Sequence, residues 1–262
     1  MLINLRRATI AAAIGLTLLL PGVAWAHSAS ASAGGLKATL SYSGGPGITT
    51  RDERLTIVKG GKTVYDQAVP AKGCFKVCGP GVKRPVAIAS LYGDDGQDVV
   101  LNLWNGGADC CTIADVYVPS AALGSYVLDT HNFGEAGYTL QRIGPGGRPL
   151  FVSANSAYYC SVTFCAASAL PLQIFEFEAE RFVDVTRSYP KLIARDAARW
   201  LALYDRNPKQ GQGAIAAWAA DDYLLGKRYR ATVNTVLQRQ YAAHHLTLAF
   251  IRTLDKLLAK HP

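Results

Sequence analysis

Six cysteines offer the most chemistry in this chain: Cys74, Cys78, Cys110, Cys111, Cys160 and Cys165. They fall into three close sets, "CFKVC", "CC" and "CSVTFC". Thiols so placed can oxidise to disulfides or hold a metal. Zinc is disfavoured, because there is no C-x2-C knuckle and exported thiols oxidise. A tight turn can close Cys74 on Cys78 and Cys160 on Cys165, which leaves Cys110 for Cys111. Adjacent Cα atoms lie about 3.8 Å apart across a trans peptide, short of the usual disulfide span of about 4.4–6.8 Å. A bridge between neighbours therefore requires a distorted or cis peptide, and Gly106-Gly107 just upstream supply backbone freedom. The alternative is that both cysteines reach outward, for example to Cys160 and Cys165, and staple two β units together.

A second constellation surrounds His131 in "LDTHNFGEAG". Asp129 and Glu135 stand close enough in sequence to orient it as a base, and Asp109 is a further carboxylate. Together they outline a hydrolase site, against the competing reading of a structural or turn histidine. No complete catalytic set accompanies them. H-E-x-x-H, the P-loop and a G-x-G-x-x-G after a strand are all missing. "SGGPG" at 43–47 has no preceding His, and no G-x-S-x-G elbow follows it. His244-His245 read as capping groups near a helix junction. Glu176 and Glu178 alternate with aromatics as the solvated face of a strand. No cofactor is expected.

The compartment follows from the first residues. Arg6-Arg7, the uncharged run Ala8 to Leu20, the breaker Pro21-Gly22 and the small-residue site Ala24-Trp25-Ala26 are the parts of a secretory signal peptide over 1–26. Residues 27–35, small and polar, predict a flexible leader. The remaining chain is long enough for one large domain or two modest ones. Half of the residues are hydrophobic and 18% are charged, so a packed core is expected and global disorder is not. No second apolar stretch of spanning length follows, so no stable membrane span is expected once the signal peptide is removed.

Charge is unevenly spread. Of the net +8, the stretch from Arg181 to Pro262 carries +8 by itself, with 14 Lys or Arg against 6 Asp or Glu. The first 26 residues add two positive charges, so the middle is slightly acidic. Outside the cell a basic tail suggests an anionic surface; no nucleic acid partner is expected. The plainer alternative is a helical part whose solvated faces carry Lys and Arg.

The elements that must position these residues come in two blocks. Residues 36–187 hold short β-branched and aromatic runs separated by Gly, Pro and Asp-rich turns, the pattern of antiparallel strands. "VKGGKTVY" predicts a hairpin turning at Gly60-Gly61, and "QIFEFEAERFVDV" a second hairpin. From 188 onward the period changes. Ser188 is a candidate cap, Pro190 suits a first turn, and Leu192, Ala197 or Arg195, Trp200 and Leu203 follow helical spacing. Three or four helices are expected over 188–262, with breaks near Gly226 and His244-His245 and a loop at 205–213. Strands first and helices second define an α+β chain.

Two segments about fifty residues apart, "IASLYGDDGQDVVLNLW" and "LQRIGPGGRPLFVSAN", share a strand, Gly-rich turn, strand pattern. With "NFGEAGYTL", they resemble the FG-GAP/VCBS-like repeats of secreted bacterial proteins. "GGADCCT" and "RFVDVTRSYP" are similar to segments of uncharacterised members that read "GGAHCCT" and "RFVDVTRRYP". The likeness covers roughly residues 85–205. It implies blade-like antiparallel units and calcium in acidic turns. Carried over, the first turn places Ser90, Tyr92, Asp94 and Asp98 at the acidic positions; the second places Arg142, Gly144, Gly146 and Leu150. Asp94 and Asp98 are thus weak calcium candidates, and the second turn has none. The β region supplies about three units, too few for a closed propeller of about four to eight blades. An open stack or sandwich capped by helices is the expected form. The function implied is a secreted, non-catalytic binding or envelope-associated module for an unknown extracellular or envelope ligand. A hydrolase around His131 and a basic envelope binder acting through the helices are the alternatives.

Overall fold

A computed structural model describes residues 27–45, 49–74, 78–81, 83–93, 97–107, 110–144 and 146–261. The signal peptide expected over 1–26 lies outside the described residues, as do Asp94 and Asp109. The described strands form three antiparallel sheets, and four helices follow them. Sheet 1 holds β1 (His27–Ala33), β2 (Leu36–Ser43), β3 (Arg51–Lys59) and β4 (Lys62–Ala68) in sequence order. Sheet 2 holds β5 (Gly79–Pro80), β6 (Val86–Ala89), β7 (Asp98–Trp104), β8 (Thr112–Ser120) and β9 (Ser125–Gly134), with β5 and β6 both pairing with β7. Sheet 3 holds β10 (Thr139–Arg142), β11 (Pro149–Ala154), β12 (Leu172–Glu178) and β13 (Arg181–Asp184). No sheet closes into a barrel among the described residues, and the fold is α+β with its β part first.

Burial shows how the layers stack. Leu36, Ala38 and Leu40 of β2 alternate inward, as do Leu55 and Ile57 of β3. In β8 the alternation disappears: Ile113 through Val118 are all buried. Ile113 and Tyr117 join the core shared with sheet 1, while Ala114, Val116 and Val118 join the core shared with sheet 3. Sheet 2 is therefore the middle layer, and a strand packed on both faces has no polar side to show.

The stretch read as a flexible leader is ordered. Residues 27–33 form β1 and pair along their length with β2, from His27 opposite Tyr42 to Ala33 opposite Leu36. Small side chains suited this edge strand as well as they suit a linker, and pairing decided between them. The two expected hairpins are present. Gly60 (φ 55°) and Gly61 (φ 78°) turn between β3 and β4, and Ala179 (φ 47°) and Glu180 (φ 63°) turn between β12 and β13.

The helices are α1 (Pro190–Arg206), α2 (Gln212–Leu224), α3 (Lys227–Ala242) and α4 (Leu248–Lys260). The expected breaks occur, with Gly226 preceding α3 and His244 at φ 58° after it. Ser188 does not cap α1. It ends a short 3-10 turn over Thr186–Ser188, and the cap position falls to Tyr189, with Pro190 starting the helix. The buried stripe of α1 is Ile193, Ala197 and Tyr204, whereas Leu203 points out. α2 is buried from Gly213 to Asp222, so it is the central helix of its bundle.

The helical core does not begin at residue 188. Tyr158 lies in its middle, with Ala157, Val162 and Leu170 beside it, and the Tyr158 hydroxyl donates to the His261 carbonyl at 3.1 Å. The β11–β12 connection thus leaves the sheets and docks on the helices. Gly213 permits the approach: a Cβ there would lie 2.1 Å from the Ala167 carbonyl oxygen.

Candidate functional site

Each conspicuous polar group has a place. His131 faces sheet 3 from β9 and is ringed by phenylalanines, with centroids 4.5 Å from Phe133, 4.3 Å from Phe175 and 5.1 Å from Phe182. Burial lowers its pKa, against the opposing pull of Asp129 and Asp184. Asp129 gives its Oδ2 to the Phe182 amide at 3.0 Å, tying β9 to β13. This is a half-buried histidine in an aromatic interface. Asp98 is likewise engaged: its Oδ2 accepts the Leu91 amide at 2.8 Å and closes the turn between β6 and β7. Among the described residues no group of three or more His, Cys, Asp or Glu side chains could hold a metal ion.

All six cysteines are in local disulfides: Cys74–Cys78, Cys110–Cys111 and Cys160–Cys165. The Cys110–Cys111 peptide is cis. Asn105 frames that loop. Its side-chain Oδ1 accepts the Gly107 amide at 2.9 Å and the Cys111 amide at 2.7 Å, while its own amide donates to the Cys111 carbonyl at 3.1 Å. Asn155, fifty residues on, does a similar job, accepting the Ala157 amide at 3.0 Å. Asn105 directly follows β7 and Asn155 directly follows β11, and each precedes a disulfide cysteine by five residues. The two asparagines thus brace the loops that carry Cys110–Cys111 and Cys160–Cys165 in a similar way.

A concave site beside α1 gathers unlike polar groups from separate elements. A cleft of about 560 Å³ opens between sheet 3 and α1. Val152, Leu172 and Leu192 give it an apolar floor, and Arg142, Arg195 and Arg199 bring three guanidinium groups. Its one carboxylate is Asp196. Asp196 holds Arg199 at 2.6 Å and accepts the Trp200 indole N–H at 3.0 Å, while Arg199 lies 4.0 Å over the Trp200 ring. Arg142 donates to the Gly147 carbonyl at 3.0 Å. The Arg195 side chain has no hydrogen bond or ion pair among the described residues.

Behind the cleft, Asp196 meets Asp221 of α2. Asp221 is fully buried; its Oδ1 accepts the Leu172 amide at 3.0 Å, and its Oδ2 has no donor. Burial pushes its pKa up to about 9, and the neighbouring Asp196 carboxylate adds to the rise. At neutral pH Asp221 is protonated and can donate to Asp196. This cleft was hidden in the sequence. The available signal was Lys191, Arg195 and Arg199 at i, i+4 and i+8 on one helix, a like-charge line that costs an isolated helix about 0.2–0.5 kcal/mol per pair.

Other buried acids lack a cleft. Asp115 lies between sheets 1 and 2, its Oδ1 accepting the Thr130 hydroxyl at 2.7 Å, and burial pushes it up to about 6. Asp222 is raised by burial to about 6.

In comparison with known proteins, the chain matches no family model, no curated protein and no solved structure. Among the described residues no helix is long and apolar enough to cross a membrane.

Proposed function

We propose that this protein is a secreted, non-catalytic binding module that attaches to an anionic cell envelope through its helical part. The observation that carries the reading is the sorting of charge in that part. Of its five carboxylates Asp221 and Asp222 are buried and Asp196 is mostly so, leaving Asp205 and Asp255 exposed, while Lys191, Arg195, Arg199, Arg206, Lys227 and Arg228 are all exposed. Since Asp221 keeps its proton at neutral pH, the solvent meets an even more positive surface than the formal count gives. Such a surface attracts polyanions over about a Debye length, roughly 8–10 Å at physiological salt. The three disulfides fit an oxidising compartment, and the sheets of the blade-like repeat reading then serve as the scaffold. Against a hydrolase at His131 stands the enclosure of its ring by Phe133, Phe175 and Phe182.

The test is cosedimentation of the oxidised protein with purified bacterial cell envelopes across a salt series. Retention at low salt, release by roughly 0.5 M salt, and weaker retention of the doubly reversed variant Lys227→Glu with Arg228→Glu support the reading. A protein that stays in the supernatant at low salt, or pellets equally at every salt, overturns it.

A further inference from the structure

We propose that the cleft between sheet 3 and α1 is a binding site for a phosphate monoester group, with Arg195 and Arg142 as its principal ligands. The proposal deepens the reading above and rests on it for the source of the ligand, not for the chemistry of the site.

The first support is charge. Three guanidinium groups face one carboxylate, which leaves the cleft with a net charge of +2. A phosphate monoester carries close to two negative charges at neutral pH and matches that excess; a single carboxylate does not. The second is preorganisation. Arg199 is fixed by Asp196 and stacked on Trp200, and Arg142 is anchored on the Gly147 carbonyl. Planar forks held in place lose little freedom on meeting an oxyanion and can engage it bidentately. Arg195, on the cleft wall and without a side-chain partner among the described residues, is the group an incoming anion would order. The third is the floor. Val152, Leu172 and Leu192 give the carrier of the phosphate an apolar surface to lie on.

Asp196 gives the proposal its sharpest consequence. Its carboxylate already takes the place of an anion on Arg199, at 2.6 Å, so it competes with the ligand. Asparagine at this position would still accept from Trp200 and would remove the negative charge that pairs with Arg199. Asp196→Asn should therefore tighten binding while Arg195→Ala weakens it.

The experiment is calorimetric titration of the oxidised full chain with inorganic phosphate at constant ionic strength and pH 7.5, with acetate as the monoanion control. One phosphate site, at least tenfold weaker acetate binding, a tenfold or greater loss in Arg195→Ala and a several-fold gain in Asp196→Asn are expected. Arg195 is exposed, so its variant should fold, and a thermal melt checks this; Arg142→Ala provides a second reading from the opposite wall. Absence of phosphate binding, equal binding of acetate, or unchanged affinity in both arginine variants overturns the proposal. A parallel arm identifies the source of the phosphate. Binding to vesicles containing phosphatidic acid but not to phosphatidylcholine vesicles, lost in Arg195→Ala, supports a lipid-borne group, whereas phosphate binding without vesicle binding supports a soluble or glycan-borne one. Phosphate binding by a protein that fails to sediment with envelopes upholds the cleft and overturns only the broader reading. Salt-sensitive sedimentation without phosphate binding does the reverse.

Discussion

Sheet 3 has two faces, and they treat polar groups in opposite ways. Toward sheet 2, Phe151, Phe175 and Phe177 close on Phe133, Tyr138 and Phe182, and His131 is absorbed into their packing. Toward α1, Val152 and Leu172 are left with a cleft above them, and arginines gather at its walls. The first interface is filled and its titratable group is held neutral; the second is open and its charges await a counter-ion. A histidine flanked by acids in sequence is no guide to a site unless the fold leaves it space. Arginines that read as ordinary solvated side chains become a site when two elements bring them to one concavity.

The largest test of this contrast is to empty the filled side. Phe151 is fully buried and touches Phe133, Tyr138 and Phe182. Phe151→Ala should cost about 3–5 kcal/mol, seen as a fall in denaturation midpoint with the slope retained. A cost below about 1 kcal/mol would mean that this interface is not the tight core described.

Next comes the acid behind the open side. The folded state holds a proton on Asp221 up to about pH 9, whereas an unfolded aspartate releases it near 3.8. A carboxyl raised on folding favours the fold in its protonated form. Its contribution is fully present below the unfolded value and is lost as pH rises toward about 9. Asp221→Asn keeps an acceptor for the Leu172 amide and a donor for Asp196 without needing the proton. It should stabilise the protein by on the order of 1–2 kcal/mol at pH 8, and flatten the decline of melting temperature between pH 5 and 9. An equal or steeper decline in the variant would show that another group governs alkaline stability.

His131 should act with the opposite sign and less strongly. Its folded pKa is lowered by burial, so it contributes stability above its ordinary value of 6.5 that is lost as pH falls through the folded value. Its imidazole resonances should titrate below 6.5 in the folded protein. Titration at or above 6.5 would place the ring in water or in a salt bridge and reopen a catalytic reading.

The smallest expected effect is on the cleft wall. Arg195→Ala should change stability by less than about 0.5 kcal/mol, because the side chain is exposed and unpartnered. A larger loss would make Arg195 a structural residue and weaken the contrast between the two faces.

Local patterns were legible wherever a local rule decided the outcome. Gly60-Gly61 had to turn, Pro190 had to stand at a helix start, and thiols four or five residues apart could meet within one turn. The α+β order of strands and helices followed from the change of period near residue 188. Misreadings arose where a distant partner decided. The small residues of β1 became a strand only because β2 was there to pair with them. The connection carrying Tyr158 and the Cys160–Cys165 disulfide joined the helical core because α2 offers Gly213 as a point of approach.

The sequence by itself determined the class of each segment, the cysteines able to pair and the excess of positive charge at the C-terminal end, because these depend on composition and on spacing within a turn or two. Only the tertiary structure decided that His131 packs into an aromatic interface, that Asp196 and Asp221 meet, and that Arg142 meets Arg195 and Arg199 across a cleft. Those residues are separated by up to 57 positions, and no local rule acts over such a distance. Their meeting is set by the packing of α1 and α2 against sheet 3, where burial raises the cost of charge and an unfilled space gives arginines something to surround.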